Sequence, residues 1–526
     1  MLRRRTLLAT AAASALPLPS LAQGDKAKVL KFTPQAGLST LDPIWTTAAI
    51  VGNHGYMVFD TLYGIDSKVR AKPQMAEGHT VSDDGRAWTI KLRPGLVFHD
   101  KEPVRAVDCA ASLRRWSARD PFGQTLAKFV DDWVATDDRT LTVKLKSPFP
   151  LLPDALARAA SSAAFIMPER LAKTDPNTQV KEMIGSGPFR FAADEFNPGS
   201  KSVYTKFEGY VPRQEPPEWT SGGKVAHFER VEWQTIPDAA TASAALQTGD
   251  VDWWEQVQPD LVAPLRKTNG IVVGRGDPLG YVAIIRFNCQ QKPFDNPKLR
   301  RAVMMAVNQA DYMAPVTGND ASAWRECHAM FPCGTPLGVT PSPDPMAHDD
   351  LAKAKAAVAE SGYNGEKIVI INPSDFATIE PLGQVTYATL KALGLNVELV
   401  ETDWASVIQR RVVRGPVDQG GWSIFHTWWL GVTVLNPVTN SFVRGQGDKG
   451  WFGWYDSPPA EELVAQWVAA PSEADRASLA MQLQMKAFDS APAVPVGQFF
   501  IRSAWRDSLT GIVEGPGAFF WNARRV

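Results

Sequence analysis

The chain has 526 residues, 44% of them hydrophobic and 21% charged, with 55 Lys and Arg against 56 Asp and Glu. Those proportions exclude a disordered polymer, and the near-neutral balance argues against nucleic acid as a partner. Eighteen tryptophans and 40 prolines are the surplus to explain, because an indole is costly to leave in water and is a good stacking platform.

The opening stretch "MLRRRTLLATAAASALPLPSLAQ" has the layout of a cleaved export signal: a basic head of Arg3, Arg4 and Arg5, an apolar run from Leu7 to Leu18, and small residues Ser20 and Ala22 ahead of a cut before Gln23. The apolar run is too short to span a bilayer. Arg4-Arg5-Thr6-Leu7-Leu8 fits a twin-arginine signal for a folded cargo, and it equally fits an arginine-rich secretory leader. No cysteine precedes Cys109, so the cut offers no thiol for a lipid anchor, and no later run reaches the roughly 18 apolar residues of a spanning helix. Residues 1–22 are therefore expected to be removed, leaving 504 residues with 52 bases against 56 acids, net −4, in the periplasm of a double-membraned bacterium. At roughly 150 residues per domain, two to four domains are expected.

The mature chain begins with a strand in "KVLKFTPQ"; another follows in "WTIKL" (88–92). An amphipathic helix spans 104–116, with Cys109, Leu113 and Trp116 on one face, and a hairpin spans 129–146 with Asp137-Asp138 at its turn. Residues 58–183 thus read as a small α+β unit. A strand in "GSGPFRF" (185–191), a proline-rich loop (211–223), a strand at 227–237 and a helix from Asp238 that ends near Gly249 come next. From about 279 the pattern becomes regular alternation: Asn296 caps a helix opened by Pro297, Asp350 starts another, and strand 367–371, helix 378–393 and strand 395–401 follow. Helices alternating with buried strands mean an α/β lobe with a layered sheet. In an oxidising compartment Cys327 and Cys333 are close enough in sequence to close a disulfide loop, whereas Cys109 and Cys289 read as buried thiols.

The spacings of secreted hydrolases are missing. There is neither a G-x-S-x-G elbow nor an H-E-x-x-H helix, and the seven histidines show no i,i+3 or i,i+4 pair that would favour a metal cage. Ser221-Gly222-Gly223-Lys224 matches S-x-x-K, but two glycines and upstream prolines disfavour the helix that would bring lysine to serine. Gly445 to Gly450 matches G-x-G-x-x-G without the flanking strand and helix that a phosphate site needs. The chain reads as a non-enzyme with no metal and no cofactor.

One long block, "PQMAEGHTVSDDGRAWTIKLRPGLVFHDKEPVRAVDCAASLRRW" (73–116), closely resembles the signature region of the family 5 extracellular solute-binding proteins, the peptide- and nickel-binding subunits of ATP-driven importers. The resemblance continues through "GSGPFRF", "ALQTGDVDWW" (245–254), "RFNCQQKPFDNPKLRRAVMMAVN" (286–308), "AKAAVAESGYNG" (354–365) and "LKALGLNVELVETDW" (390–404). It implies a two-lobed α/β periplasmic-binding-protein fold. Lobe I would comprise 24–57, 184–278 and 490–526, the accessory domain 58–183, and lobe II 279–489. It further implies a monomer that traps a small-molecule or peptide-like ligand between its lobes and delivers it to an inner-membrane ABC permease. A periplasmic hydrolase is the competing class, and a ligand-loaded partner for a membrane sensor differs only in the protein it meets.

In peptide-binding relatives the region matching 422–437 supplies an aspartate for the peptide's ammonium group. Here that place falls near Val432 or Thr433, and the acid is missing. An unpaired buried ammonium costs several kcal/mol, so the expectation is a ligand without a free α-amine, with free di- or oligopeptides as the alternative. The stretch offers Phe425, His426, Thr427, Trp428 and Trp429 instead, with Trp428 and Trp429 on opposite faces of a strand. Trp45, Trp253 and Trp254 lie in blocks that line the cleft in the family. Arg286 stands either as a partner for a ligand carboxylate or as a structural bridge to Asp277 or Glu255.

Overall fold

The computed structural model describes residues 28–526 apart from 47, 160–161 and 348–349. The expected export signal lies outside the described residues. Two mixed sheets organise the chain into an α/β, two-lobed architecture.

The first sheet has seven strands in the order Phe189–Phe191, Lys201–Lys206, Arg230–Gln234, Val29–Thr33, Trp253–Val257, Arg502–Arg506 and Ile271–Gly274. Val29–Thr33 runs parallel to both of its neighbours, and the remaining pairs are antiparallel. The helix Ala239–Thr248 that delivers Trp253–Val257 is capped by the Asp238 carboxylate on the Thr241 N–H and ends at Gly249, whose φ of 83° is the left-handed turn that glycine tolerates.

The second sheet has six strands, Trp324–Arg325, Ala493–Phe499, Tyr281–Phe287, Ile424–Leu430, Ile368–Pro373 and Val397–Thr402. Its central strands Tyr281–Phe287 and Ala493–Phe499 are buried along their whole length, which suits their near-continuous apolar sequences. Helices Gln309–Val316, Glu380–Ala392 and Trp404–Arg410 pack on it, and Pro297–Met305 packs against Leu351–Glu360. Two more helices, Pro458–Ala469 and Glu473–Ser490, pack against each other and follow the last element read from the sequence.

A third, four-stranded antiparallel sheet, Ala76–Val81, Ala87–Leu92, Thr140–Leu145 and Val130–Asp137, packs against helix Ala106–Ser117. The apolar face of that helix, Cys109, Leu113 and Trp116, is buried as its spacing predicts.

One expected boundary moves. The sequence reading assigns all of 490–526 to lobe I, yet Ala493–Phe499 pairs with Tyr281–Phe287 in the second sheet, and only Arg502–Arg506 returns to the first. The strand is apolar on both faces, and the centre of the second sheet is where both faces are covered. The chain therefore crosses between sheets at Phe500 and Ile501, beside a second crossing at 275–280. Gly280 makes the close approach of the two crossings feasible: its φ is 58°, and a Cβ there would lie 2.3 Å from the Phe499 carbonyl oxygen.

Candidate functional site

Between the two sheets lies a cleft of about 480 Å³. Gln256, Val262 and Arg266 wall it from the first sheet and the helix that follows; Thr317, Phe376, Thr378, Trp428 and Phe499 wall it from the second. Because its walls come from both lobes, a solute held there touches both at once.

Trp428 is the large aromatic surface of this cleft. Its Nε1 donates to Thr378 Oγ1 at 2.9 Å, and its ring meets Tyr281, Phe376 and Phe499 edge-on with centroids 4.6, 5.9 and 6.3 Å away. The indole is thereby fixed while staying half-exposed, as a stacking platform requires. On the opposite wall the Arg502 guanidinium donates to the Ser322 carbonyl and hydroxyl, while its Nε is buried without a partner. Asp320 sits 3.8 Å from Arg502 and 3.7 Å from Arg266, so two guanidiniums share one carboxylate at this end.

Gln35, Gln256 and Ile501 are common to this cleft and to a smaller chamber of about 50 Å³. Glu255 and Asp277 face the chamber, together with Trp253, Tyr281 and Trp505. Glu255 accepts from the Gln35 N–H and from Asn53 Nδ2, both at 2.8 Å. Asp277, 8% exposed, accepts from the Leu279 N–H through Oδ1 at 2.8 Å, and its Oδ2 has no partner. Burial raises both carboxyl pKa values, that of Asp277 to about 7. The Tyr281 hydroxyl accepts from Gln256 Nε2 at 2.9 Å; burial first, then the charges of Asp277 and Glu255, push its pKa well up.

The structure brings only part of the expected set to this place. Trp428 lines the cleft and Trp253 the chamber, where its Nε1 donates to Ser503 Oγ at 2.7 Å. Trp429, on the other face of the strand, packs against Trp451 and Phe442. Trp254, next to Trp253, likewise faces away, into a cluster with Leu246, Val262 and Leu265. Phe425 is core beside Trp422 and Trp451. His426 is wholly buried, shares a 2.7 Å hydrogen bond with Thr386 Oγ1 and is kept neutral by burial, which lowers its pKa to about 3. Thr427 is buried, and Thr433 turns its hydroxyl back to the Leu430 carbonyl at 2.7 Å. Trp45 lies under the Arg119 guanidinium, 4.8 Å away, at the accessory sheet's helix rather than in the cleft.

Arg286 takes neither of its expected roles. It is 1% exposed, its Nε donates to the Phe452 carbonyl at 2.7 Å, and its guanidinium lies 4.9 Å from the Trp451 ring. No carboxylate pairs with it among the described residues, and it meets neither Asp277 nor Glu255. Elsewhere, Cys327 and Cys333 are joined, with Cα atoms 5.7 Å apart. Lys224 is committed to Asp60 at 2.8 Å, and Ser221 donates to the Glu218 carbonyl, so the S-x-x-K match carries no lysine–serine contact.

Tyr281 in the chamber and Arg502 in the cleft were not among the expected site residues, and Glu255 and Asp277 entered only as bridge partners for Arg286. The signal that was present is an acid directly after two tryptophans in the strand run "WWEQV" and another just before the strand "YVAIIRF". A charge inside such a run needs a reason.

A family model of the bacterial extracellular solute-binding proteins, family 5 (middle region), matches residues 70–450. The chain is 36% identical over 524 residues to a Sinorhizobium fredii protein named "Probable peptide ABC transporter periplasmic-binding protein y4tO", covering 98% of each. Among solved structures it is similar to the binding protein AgaA of A. tumefaciens R10 in complex with agropinic acid, with a TM-score of 0.77, 21% identity and coverage of 95% and 99%. It is also similar to the periplasmic binding protein DppA of Helicobacter pylori in complex with the peptide STSA, with a TM-score of 0.76, 22% identity and coverage of 96% and 99%.

Proposed function

The chain belongs to the family 5 bacterial extracellular solute-binding proteins, and on that premise we propose that it is the periplasmic capture subunit of an ATP-driven importer. It takes a small organic solute, peptide-like or opine-like, into the cleft between its sheets and presents the closed form to a membrane permease. The observation that carries this reading is the cleft itself, about 480 Å³ in volume with Trp428 on one lobe facing Gln256 and Val262 on the other. That volume lies within the range of small-molecule sites, and ligand contact with both lobes is what shifts an open and closed equilibrium.

The relatives and structural neighbours support the substrate class, since they are named for peptides and an opine. The same reading has the protein release its solute unchanged. The cleft's Arg266, Asp320 and Arg502 are engaged by one another and by Ser322, whose hydroxyl accepts from Arg502 at 2.9 Å and donates to Asp320 at 2.6 Å within the short turn that Asp320 caps.

The test is calorimetry and thermal unfolding of the mature protein against dipeptides, opines and aromatic carboxylates, with mass spectrometry of the solute recovered afterwards. One-to-one binding with an unaltered solute is expected. A ligand at 100 times its Kd adds about 2.7 kcal/mol of stability, readily seen in Tm. Recovery of a chemically altered solute would place the protein among the hydrolases instead.

A further inference from the structure

We propose that the chamber walled by Glu255 and Asp277 is a subsite for a positively charged nitrogen on the solute, a primary ammonium group. This rests on the reading of the cleft as a solute site and specifies what the solute must carry. It also reverses the expectation of an amine-free ligand, which rested on the missing acid near Val432 or Thr433 in the 422–437 region.

The loop is indeed without an acid: Val432 is buried and Thr433 is tied to Leu430. The acids come from elsewhere, Glu255 from the first sheet and Asp277 from the crossing that leads into the second. Among the described residues no Lys, Arg or His lines the chamber, while Glu514 adds a third carboxylate at its exposed rim, where it accepts from the Arg275 N–H at 2.8 Å. A buried carboxylate with no cation and an unfilled oxygen is an expensive arrangement, and Asp277 Oδ2 is such an oxygen, more than nine-tenths buried. An arriving ammonium donates up to three hydrogen bonds and cancels charge at the same time.

The walls fit the same chemistry. Trp253, Tyr281 and Trp505 present π faces or edges to the chamber, and a cation beside an aromatic ring in a dry site is stabilised. Tyr281 already accepts from Gln256, so its own O–H remains to donate to an acceptor on the solute. At about 50 Å³ the chamber admits a group of a few heavy atoms and no more. The rest of the solute then extends past Gln35 and Gln256 into the larger cleft, toward Trp428 and the Arg502 end.

The test is calorimetric binding of matched sets: dipeptides and aromatic primary amines, each with its N-acetyl and its deamino counterpart, on the mature protein and on Glu255→Gln and Asp277→Asn. The amine member is expected to bind at least tenfold more tightly, and each substitution should remove that preference while leaving the neutral counterpart within about twofold. If neutral counterparts bind as tightly as the amines, or the substitutions leave the preference intact, the subsite is wrong while solute capture stands. If no member of any set binds, both the subsite and the small-solute reading fall. Sodium chloride at equal ionic strength controls for an inorganic cation, and competition by sodium equal to that of methylammonium chloride would also overturn the assignment.

Discussion

The Trp428 indole stands edge-on to the Tyr281 ring, their centroids 4.6 Å apart with an interplanar angle of 77°. Trp428 faces the larger cleft and Tyr281 the carboxylate chamber, so this single aromatic contact joins the two compartments. A solute that bridges them would press on both rings.

Trp428→Ala is therefore expected to weaken solute binding by about 2 kcal/mol, or roughly thirtyfold in Kd. Trp428→Phe keeps part of the stacking surface but loses the bond to Thr378 Oγ1, and should fall between. Calorimetry on both variants, with circular dichroism to confirm folding, measures this.

Arg286 should behave in the opposite way. Removing its side chain leaves the buried Phe452 carbonyl without its donor and empties the space against Trp451. Arg286→Ala is expected to lose about 2–4 kcal/mol in urea unfolding, with Kd for any bound solute unchanged. A change in affinity at unchanged stability would return Arg286 to the binding site.

Burial lifts the Asp277 carboxyl from an ordinary value of 3.8 to about 7. A raised acid binds its proton more tightly in the folded state, so its contribution to stability is full below about pH 4 and is lost as pH rises through about 7. The contribution is at most on the order of 4 kcal/mol. The ligand-free protein should lose stability across that window, and Asp277→Asn should flatten the profile. A cationic solute bound at pH 6 should release protons, seen as a dependence of binding heat on the buffer's ionisation enthalpy.

Reducing the Cys327–Cys333 bond should cost about 2–3 kcal/mol through loop entropy. Gln309 donates to the Cys327 carbonyl and accepts from its N–H, which keeps the loop attached to the second lobe. Unfolding with and without dithiothreitol should shift the midpoint without altering solute affinity.

Much of the fold was legible because strands and helices announced themselves locally. The caps at Asn296 and Asp350, the αL turn at Gly249 and the period of helix 106–117 all depend on neighbours in sequence. Strand alternation likewise separates Trp428 from Trp429. It could not say that His426, on the same face as Trp428, lies farther along the strand under Thr386 and away from the cleft. Trp253 and Trp254 differ in the same way, one in the chamber and one behind the sheet. Glu255 and Asp277 are joined only by the two crossings, and one of these depends on Ala493–Phe499 inserting beside Tyr281–Phe287, a pairing between segments some 200 residues apart that no local pattern reveals.

The central claim is that a small solute bound between the sheets fixes the two lobes in one relative arrangement. Val272 on the first sheet and Val412 on the second lobe are exposed positions for a pair of spin labels, in a chain carrying Cys289→Ser. Pulsed dipolar spectroscopy should show a broad label-to-label distance distribution without solute. With a solute that raises Tm it should show a single narrower one, and Trp428→Ala should abolish that change. A distribution that stays the same when calorimetry shows the solute bound would contradict capture by lobe closure.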